Sequence, residues 1–300
     1  MSVVPGELAA LLTSLCFSLS STFFSIATRR FGAMVVNRTR LALAALFLMA
    51  THALLYGLAL PVNAAPQRWF WLGLSGIVGL VLGDIFLFNA YAHIGARLTM
   101  LMMSLAPVVA ALTAWLFLGE KLAWREWLGV AVTVGGIAWV VLERNGQANS
   151  LKDPRYGRGI LLGLGAAVGQ ALGMVLAKPG LAGDFPAISG NAIRMITAAT
   201  AMWLLTLAQH QGRNTLQTLA TRPRSLAFIL GGMIFGPFVG VSLSLYAVQH
   251  TNVGVASTLT ALPPIFMLPI GYFVFRERFG WGAVAGTLLA IAGVALLFLS

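Results

Sequence analysis

Apolar residues in this chain come neither in strict alternation nor in a single helical stripe. They form unbroken runs of about 20, the length a helix needs to cross roughly 30 Å of hydrocarbon. Ten such windows fall at roughly 7–28, 38–58, 69–91, 96–118, 124–143, 159–179, 187–209, 225–249, 253–275 and 280–299. Short polar breaks separate most of them. The most polar break, Glu143 to Arg158, is rich in Asn, Gly, Ser and Pro and reads as a linker. A second runs from Gln209 to Arg224. A closed barrel would need period-two alternation over about ten residues per strand, which these runs lack. The pattern predicts an all-α integral membrane protein of ten transmembrane helices.

The two sides of the linker match each other. A forward shift of 157 positions lays Gly83 on Gly240, Ala90 on Ala247, His93 on His250, Pro107 on Pro264, Glu120 on Glu277, Trp124 on Trp281 and Gly129 on Gly286. With the shift shortened by three, Asn37-Arg-Thr-Arg40 falls on Asn191-Ala-Ile-Arg194. These matches fall on special residue types rather than on Leu and Ala, where chance identity is common. The organisation predicted is a five-helix repeat over 1–146, a linker over 147–158 and a second five-helix repeat over 159–300. Because five is odd, the second repeat must run inverted, an arrangement typical of secondary transporters whose site lies between the halves.

Composition supports a lipid environment. Only 9% of residues are charged and 59% are apolar, whereas a soluble domain carries about a quarter charged. The net charge of +11 is spread through short gaps, as expected of anchors beside anionic head groups, and forms no patch for nucleic acid. The lone Cys16 offers neither a disulfide framework nor a thiolate metal site. The first run lacks a basic segment before it, so it reads as a retained helix rather than a cleaved signal. The expected location is the cell (inner) membrane, crossed several times.

The stretch Leu105-Ala-Pro107 through Gly119-Glu120-Lys-Leu, echoed by Leu262-Pro-Pro264 through Arg276-Glu277-Arg-Phe, resembles the drug/metabolite transporter superfamily. More narrowly it is similar to the EamA-type ten-helix members, which include amino-acid and metabolite exporters. The resemblance covers both halves and implies carrier-type transport of a small polar metabolite without ATP hydrolysis on the chain. No Gly-x-x-x-x-Gly-Lys-Ser/Thr loop is present. Arg40-Leu and Arg194-Met stand where members often have Arg-Phe, and no role is carried over for that pair. The cations concentrate after helices one, three, five, seven and nine, so the positive-inside rule places both termini outside. The resemblance implies both in the cytoplasm.

Ionisable groups at membrane depth are costly and point to function. Asp84 is the one acid well inside a predicted helix. It is either a coupling site, with protons the candidate ion, or a carboxylate that ties helices together. Ser242, Tyr246 and Gln249 share a face of the eighth helix, and the shift sets Asn89 opposite Tyr246, so these four are candidate lining of a substrate cavity. Gln170, whose amide seeks up to four partners, and the soft side chains Met102 and Met103 join them, with Thr258 on helix nine. Pro107, Pro263 and Pro264 each free a carbonyl four residues earlier and are candidate hinges; the alternative is a static kink satisfied by Ser or Thr hydroxyls. The stripe Ser14, Ser18, Ser21, Ser25 and the Gly282-x-x-x-Gly286 and Gly129/Thr133 faces read as tight helix packing.

The four histidines are too dispersed for a metal cluster, and neither a metal nor a cofactor is expected. An intramembrane aspartyl protease would need two membrane Asp, and a zinc protease His-Glu-x-x-His; the chain has neither, so no enzyme activity is expected. The favoured function is a secondary transporter exporting small polar metabolites, neutral amino acids foremost. Sugar-, nucleotide- or lipid-linked substrates are the alternative. The expected partners are that substrate and the bilayer, with the protein a monomer or weak homodimer.

Overall fold

The computed structural model describes residues 5–118, 123–143, 154–183, 185–250, 259–277 and 280–298. Among them every regular element is helical. The helices are α1 (Pro5–Phe31), α2 (Ala33–Tyr56), α3 (Pro66–Gly76), α4 (Asp84–Met103), α5 (Ala106–Leu118) and α6 (Trp124–Glu143) before the linker. After it come α7 (Pro154–Leu181), α8 (Ala187–Ala208), α9 (Gly212–Ala220), α10 (Leu226–Met233), α11 (Val241–His250), α12 (Pro263–Phe275) and α13 (Trp281–Phe298). Seven helices among the described residues are long and apolar enough to cross a membrane, and shorter apolar ones lie at Pro263–Phe275 and Trp281–Leu297. The short amphipathic α9 occupies the second polar break, between α8 and α10.

The longest apolar run is Pro66–Met103, 38 residues, nearly twice what one crossing needs. It is divided at Gly95, whose φ of 75° and ψ of 173° interrupt the helical backbone. A side chain there would be strained, so glycine is what lets the chain turn between one passage and the next. The predicted windows 69–91 and 96–118 flank this break. The second of them is interrupted again at Ser104–Leu105, between α4 and α5 and just ahead of Pro107.

Two stretches depart from α geometry: π-helices at Ile77–Gly83, between α3 and α4, and at Ile234–Gly240, between α10 and α11. Their limits are related by the same 157-residue shift that aligns the two halves. A π turn costs helix regularity and persists where packing over-determines it. Here the first is held by α7 and the second by α1. A Cβ at Gly83 would lie 3.2 Å from Gly169 C, and one at Gly173 would lie 2.8 Å from Gly79 Cα. Ser75 Oγ donates to Gly173 O at 2.6 Å. In the other half Ser20 Oγ donates to Gly232 O at 2.7 Å, and Thr13 Oγ1 to Gly240 O at 3.5 Å.

Helices at corresponding places in the two halves lie against each other and run in opposite directions. In α6 and α13, Gly129 meets Gly293 and Leu297 while Gly136 meets Gly286 and Ala290. Thr133 is fully buried between them. Small residues at this spacing let the backbones approach closely, which is the main source of helix association in lipid. In α2 and α8, His52 Nε2 lies 3.1 Å from Ser189 Oγ at one end. At the other end, Arg38 donates to Gln211 Oε1 at 2.6 Å and Thr215 Oγ1 at 3.0 Å. The largest apolar core gathers Leu41, Leu48, Phe88, Met202, Met233 and Met267 at the junction of α1, α2, α4, α8, α10 and α12.

Candidate functional site

The deepest polar constellation starts on α2. Asn37 and Arg40 are one turn apart and both buried, an arrangement that lipid or apolar core cannot solvate. Arg40 Nε donates to Asn37 Oδ1 at 3.1 Å. Its Nη2 forms an ion pair with Asp84 Oδ2, at the junction of the first π-helix and α4. The guanidinium sits over the Phe88 ring, 5.1 Å from its centroid, and near Phe24 at 5.8 Å. Phe24, Phe88 and Tyr91 thus wall the pair with aromatic surface. The charge of Asp84 is therefore engaged by an arginine across helices.

The matching place in the second half is built differently. Asn191 and Arg194 of α8 are also buried, at 4% and 9% exposure. The residue 157 positions after Asp84 is Val241, so no carboxylate stands there. Among the described residues Arg194 has no ion pair. Its Nη1 lies 3.9 Å from Met174 Sδ, a weak acceptor, and its Nε has no partner. Asn191 Nδ2 donates to Pro237 O in the second π-helix at 3.4 Å, while its Oδ1 is unsatisfied. The sequence comparison paired Arg40 with Arg194, but nothing local indicated which one finds a counter-ion.

The sequence-predicted cavity residues divide in the structure. Tyr246 is 41% exposed, and Asn89, Gln170, Ser242 and Met103 are half-buried. Asn89 Nδ2 donates to Ile85 O at 2.7 Å and Ser242 Oγ to Phe238 O at 2.5 Å, so both close on their own helix. Gln170 lies against the first π-helix, its backbone N 3.3 Å from a Cβ built on Gly83, the residue before Asp84. Met102 is buried, with Cγ 2.8 Å from a Cβ built on Gly163. It packs there against α7, where Gly163 leaves a notch that the methionine fills. Gln249 belongs to α11, but its side chain lies outside the described residues, as do Thr258, Glu120, Lys121 and Arg278.

The proline sites also differ. Pro263 leaves the Leu259 carbonyl without its helical donor, and Ser14 Oγ of α1 donates to that oxygen. Ser18 Oγ, which donates to Ser14 O at 2.7 Å, lies 3.2 Å from Pro263 O, and Ser21 Oγ, which donates to Ser18 O at 2.9 Å, lies 3.4 Å from Met267 Sδ. The serine stripe of α1 thus faces α12 and satisfies its break. Near Pro107, Ser104 Oγ is buried and unbonded. Past Gly95, Arg97 Nε pairs with Glu277 Oε2 at 3.1 Å, joining the α4 turn to the end of α12. A cavity of about 290 Å³ lies at the end of α2, lined by His52, Tyr56, Phe185 and Ser189 among others. None of the sequence-predicted site residues lines it. Among the described residues no group of His, Cys, Asp and Glu could hold a metal ion.

The profile of the EamA-like transporter family matches the sequence twice, over residues 4–142 and 157–299. The chain belongs to the EamA-like transporter family. It is a multi-pass membrane protein and a transporter. Among its relatives, a probable terminal-alkyne amino-acid exporter of Streptantibioticus cattleyicolor is 27% identical over 241 residues, covering 75% of this chain and 72% of the relative. An uncharacterized transporter of Synechocystis sp. is 28% identical over 240 residues, covering 75% and 71%. A crystal structure superposes with a TM-score of 0.57 at 19% identity, over 97% of this chain and 96% of the other; that likeness concerns the fold.

Proposed function

We propose that this EamA-family transporter exports small neutral amino acids by alternating access. Its ten crossings would form two inverted five-helix repeats, residues 1–146 and 159–300, joined by the linker 147–158. Three observations support the architecture. The family profile matches once on each side of the linker. The π-helices sit at places related by the 157-residue shift. Corresponding helices α6 and α13 pack in opposite directions, which two copies related by a two-fold axis in the membrane plane would produce. The observation that supports the substrate class is the 27% identity to the probable terminal-alkyne amino-acid exporter of Streptantibioticus cattleyicolor.

In this reading the two halves rock against each other about the π-helices and the proline sites at Pro107, Pro263 and Pro264. Asn89, Gln170, Ser242, Tyr246 and Gln249 offer neutral hydrogen-bonding groups to a zwitterion. Asp84 is the candidate coupling group, exchanging Arg40 for a proton during the cycle. No covalent step is needed. The test is efflux from cells that overproduce the protein, preloaded with dipeptides that release single amino acids. Faster extracellular appearance of particular neutral amino acids, relative to cells carrying an Asp84→Asn variant of equal abundance, is expected. Unchanged levels of every amino acid, with the wild-type protein present in the membrane, overturn the substrate assignment.

A further inference from the structure

We infer that Arg194 and Asn191 form the docking point for a carboxylate on the transported molecule, deepening the amino-acid reading on which the inference rests. A guanidinium away from water needs a counter-charge, because an isolated buried cation is among the most costly groups a protein can hold. Arg40 meets that need with Asp84. Arg194, equally placed in the other half and 9% exposed, meets only the Met174 thioether. A thioether accepts a hydrogen bond weakly and neutralises nothing. Val241 occupies the place that would mirror Asp84.

The unsatisfied atoms around Arg194 are chemically specific. Arg194 Nε is a free donor and Asn191 Oδ1 a free acceptor, both buried. They sit one turn apart on α8, on a common face. A carboxylate takes the donor side, most strongly through two parallel N–H bonds. An ammonium next to that carboxylate takes the amide oxygen. A 2-amino acid carries both groups at the required closeness. The backbone closes one side of the guanidinium, since a Cβ at Gly79 of the first π-helix would lie 3.4 Å from Gly173 Cα, 3.7 Å from Arg194 Nη2 and 3.8 Å from Gly169 O, so approach is from the Met174 side. Met174 at the guanidinium tip is 48% exposed. A bound carboxylate would thus touch α8 and lie beside the first π-helix and α7, elements from both halves. Binding there would pull on the segments that must move.

The test uses the full-length protein in lipid nanodiscs. Phenylglyoxal, which modifies guanidinium groups, is applied with and without ligand, and Arg194 is followed by peptide mass spectrometry with Arg40 as the paired control. Four conditions are compared: no ligand, a mixture of neutral L-amino acids, the matching 2-oxo acids, and the matching amino amides. The expected result is modification of Arg194 that the amino acids suppress and the amides do not. Binding followed by tryptophan fluorescence should weaken about ten- to hundredfold in Arg194→Met, and less in Arg194→Lys. Suppression by 2-oxo acids alone keeps the carboxylate site and removes the amino-acid function. Amino-acid binding with Arg194 modified equally in all conditions, or never modified, keeps the function and overturns the site. Because labelling is read on the wild-type protein, a poorly folded variant does not decide the outcome.

Discussion

Arg40 and Arg194 occupy corresponding places in the two halves of one chain, yet one is locked and the other is open. Arg40 is held by Asn37 and Asp84 and walled by Phe24 and Phe88. Arg194 has the equivalent asparagine one turn before it, but Asn191 turns its amide to Pro237 and leaves its oxygen unbonded. The chain thus holds two such costly groups. One is neutralised by a carboxylate, while the other meets only a thioether. Buried charges in membranes are kept when paired or used; Arg40 is paired, and Arg194 is the one proposed to be used.

The comparison breaks most visibly at Asp84. Replacing it with Leu strands the Arg40 charge, and breaking a buried pair from one side costs about 3–5 kcal/mol. Asp84→Leu should therefore lower the unfolding temperature sharply in detergent. The double variant with Arg40→Met should recover most of that loss, since a well-packed apolar substitute for a buried pair is often neutral. Equal stability of Asp84→Leu and wild type would mean that the pair does not hold α2 to α4. Arg194→Met should behave oppositely, with no loss and a rise in unfolding temperature by the same assay, because it removes an unpaired buried charge and breaks no ion pair.

These contrasts also mark what was legible in the residues. The apolar windows marked an all-helical membrane protein because lipid imposes length and composition on each helix separately, and seven helices among the described residues are long and apolar enough to cross. Gly95 falls between two windows, and α2 and α7 extend only a few residues beyond theirs. The Asp84 partner was not legible. Whether α2 turns Arg40 toward α4 depends on how two helices rotate against each other, which no local spacing encodes. The match of Asn37–Arg40 with Asn191–Arg194 at a shift of 154 paired the two arginines but gave neither a role. It could not say that their surroundings had diverged. The π-helices were invisible for a related reason: they arise where Gly79, Gly83, Gly169 and Gly173 bring two backbones together, an event between segments distant in sequence. Met102 looked available because its type is adaptable, and only the notch at Gly163 shows that it is used for packing.

A smaller effect sharpens the comparison at the interface of like helices. A Cβ at Gly129 would lie 2.7 Å from Leu297 N and 2.8 Å from Gly293 O, backbone atoms that cannot yield by rotating. Gly129→Val should destabilise by about 1–3 kcal/mol, as overpacking does, in thermal unfolding of the detergent-solubilised protein. A neutral outcome would show that α6 and α13 are free to separate. Smaller still is Ser14→Ala, which removes the interhelical one of two donors to Leu259 O, the other being Leu262 N at 3.3 Å. It should cost about 0.6–1.7 kcal/mol, the range of interhelical hydrogen bonds in membranes. An accompanying rise in transport rate would assign the α12 break to motion rather than to static support.

The central claim is that the protein carries amino acids across a bilayer through a site that uses the open arginine. Counterflow in proteoliposomes tests it most directly, since it needs no knowledge of the coupling ion or of orientation. Vesicles loaded with an excess of an unlabelled neutral amino acid should transiently accumulate the labelled form, and Arg194→Met vesicles with equal protein should do so at a small fraction of that rate. Accumulation no faster than in protein-free vesicles, for every neutral amino acid tried, would contradict the account.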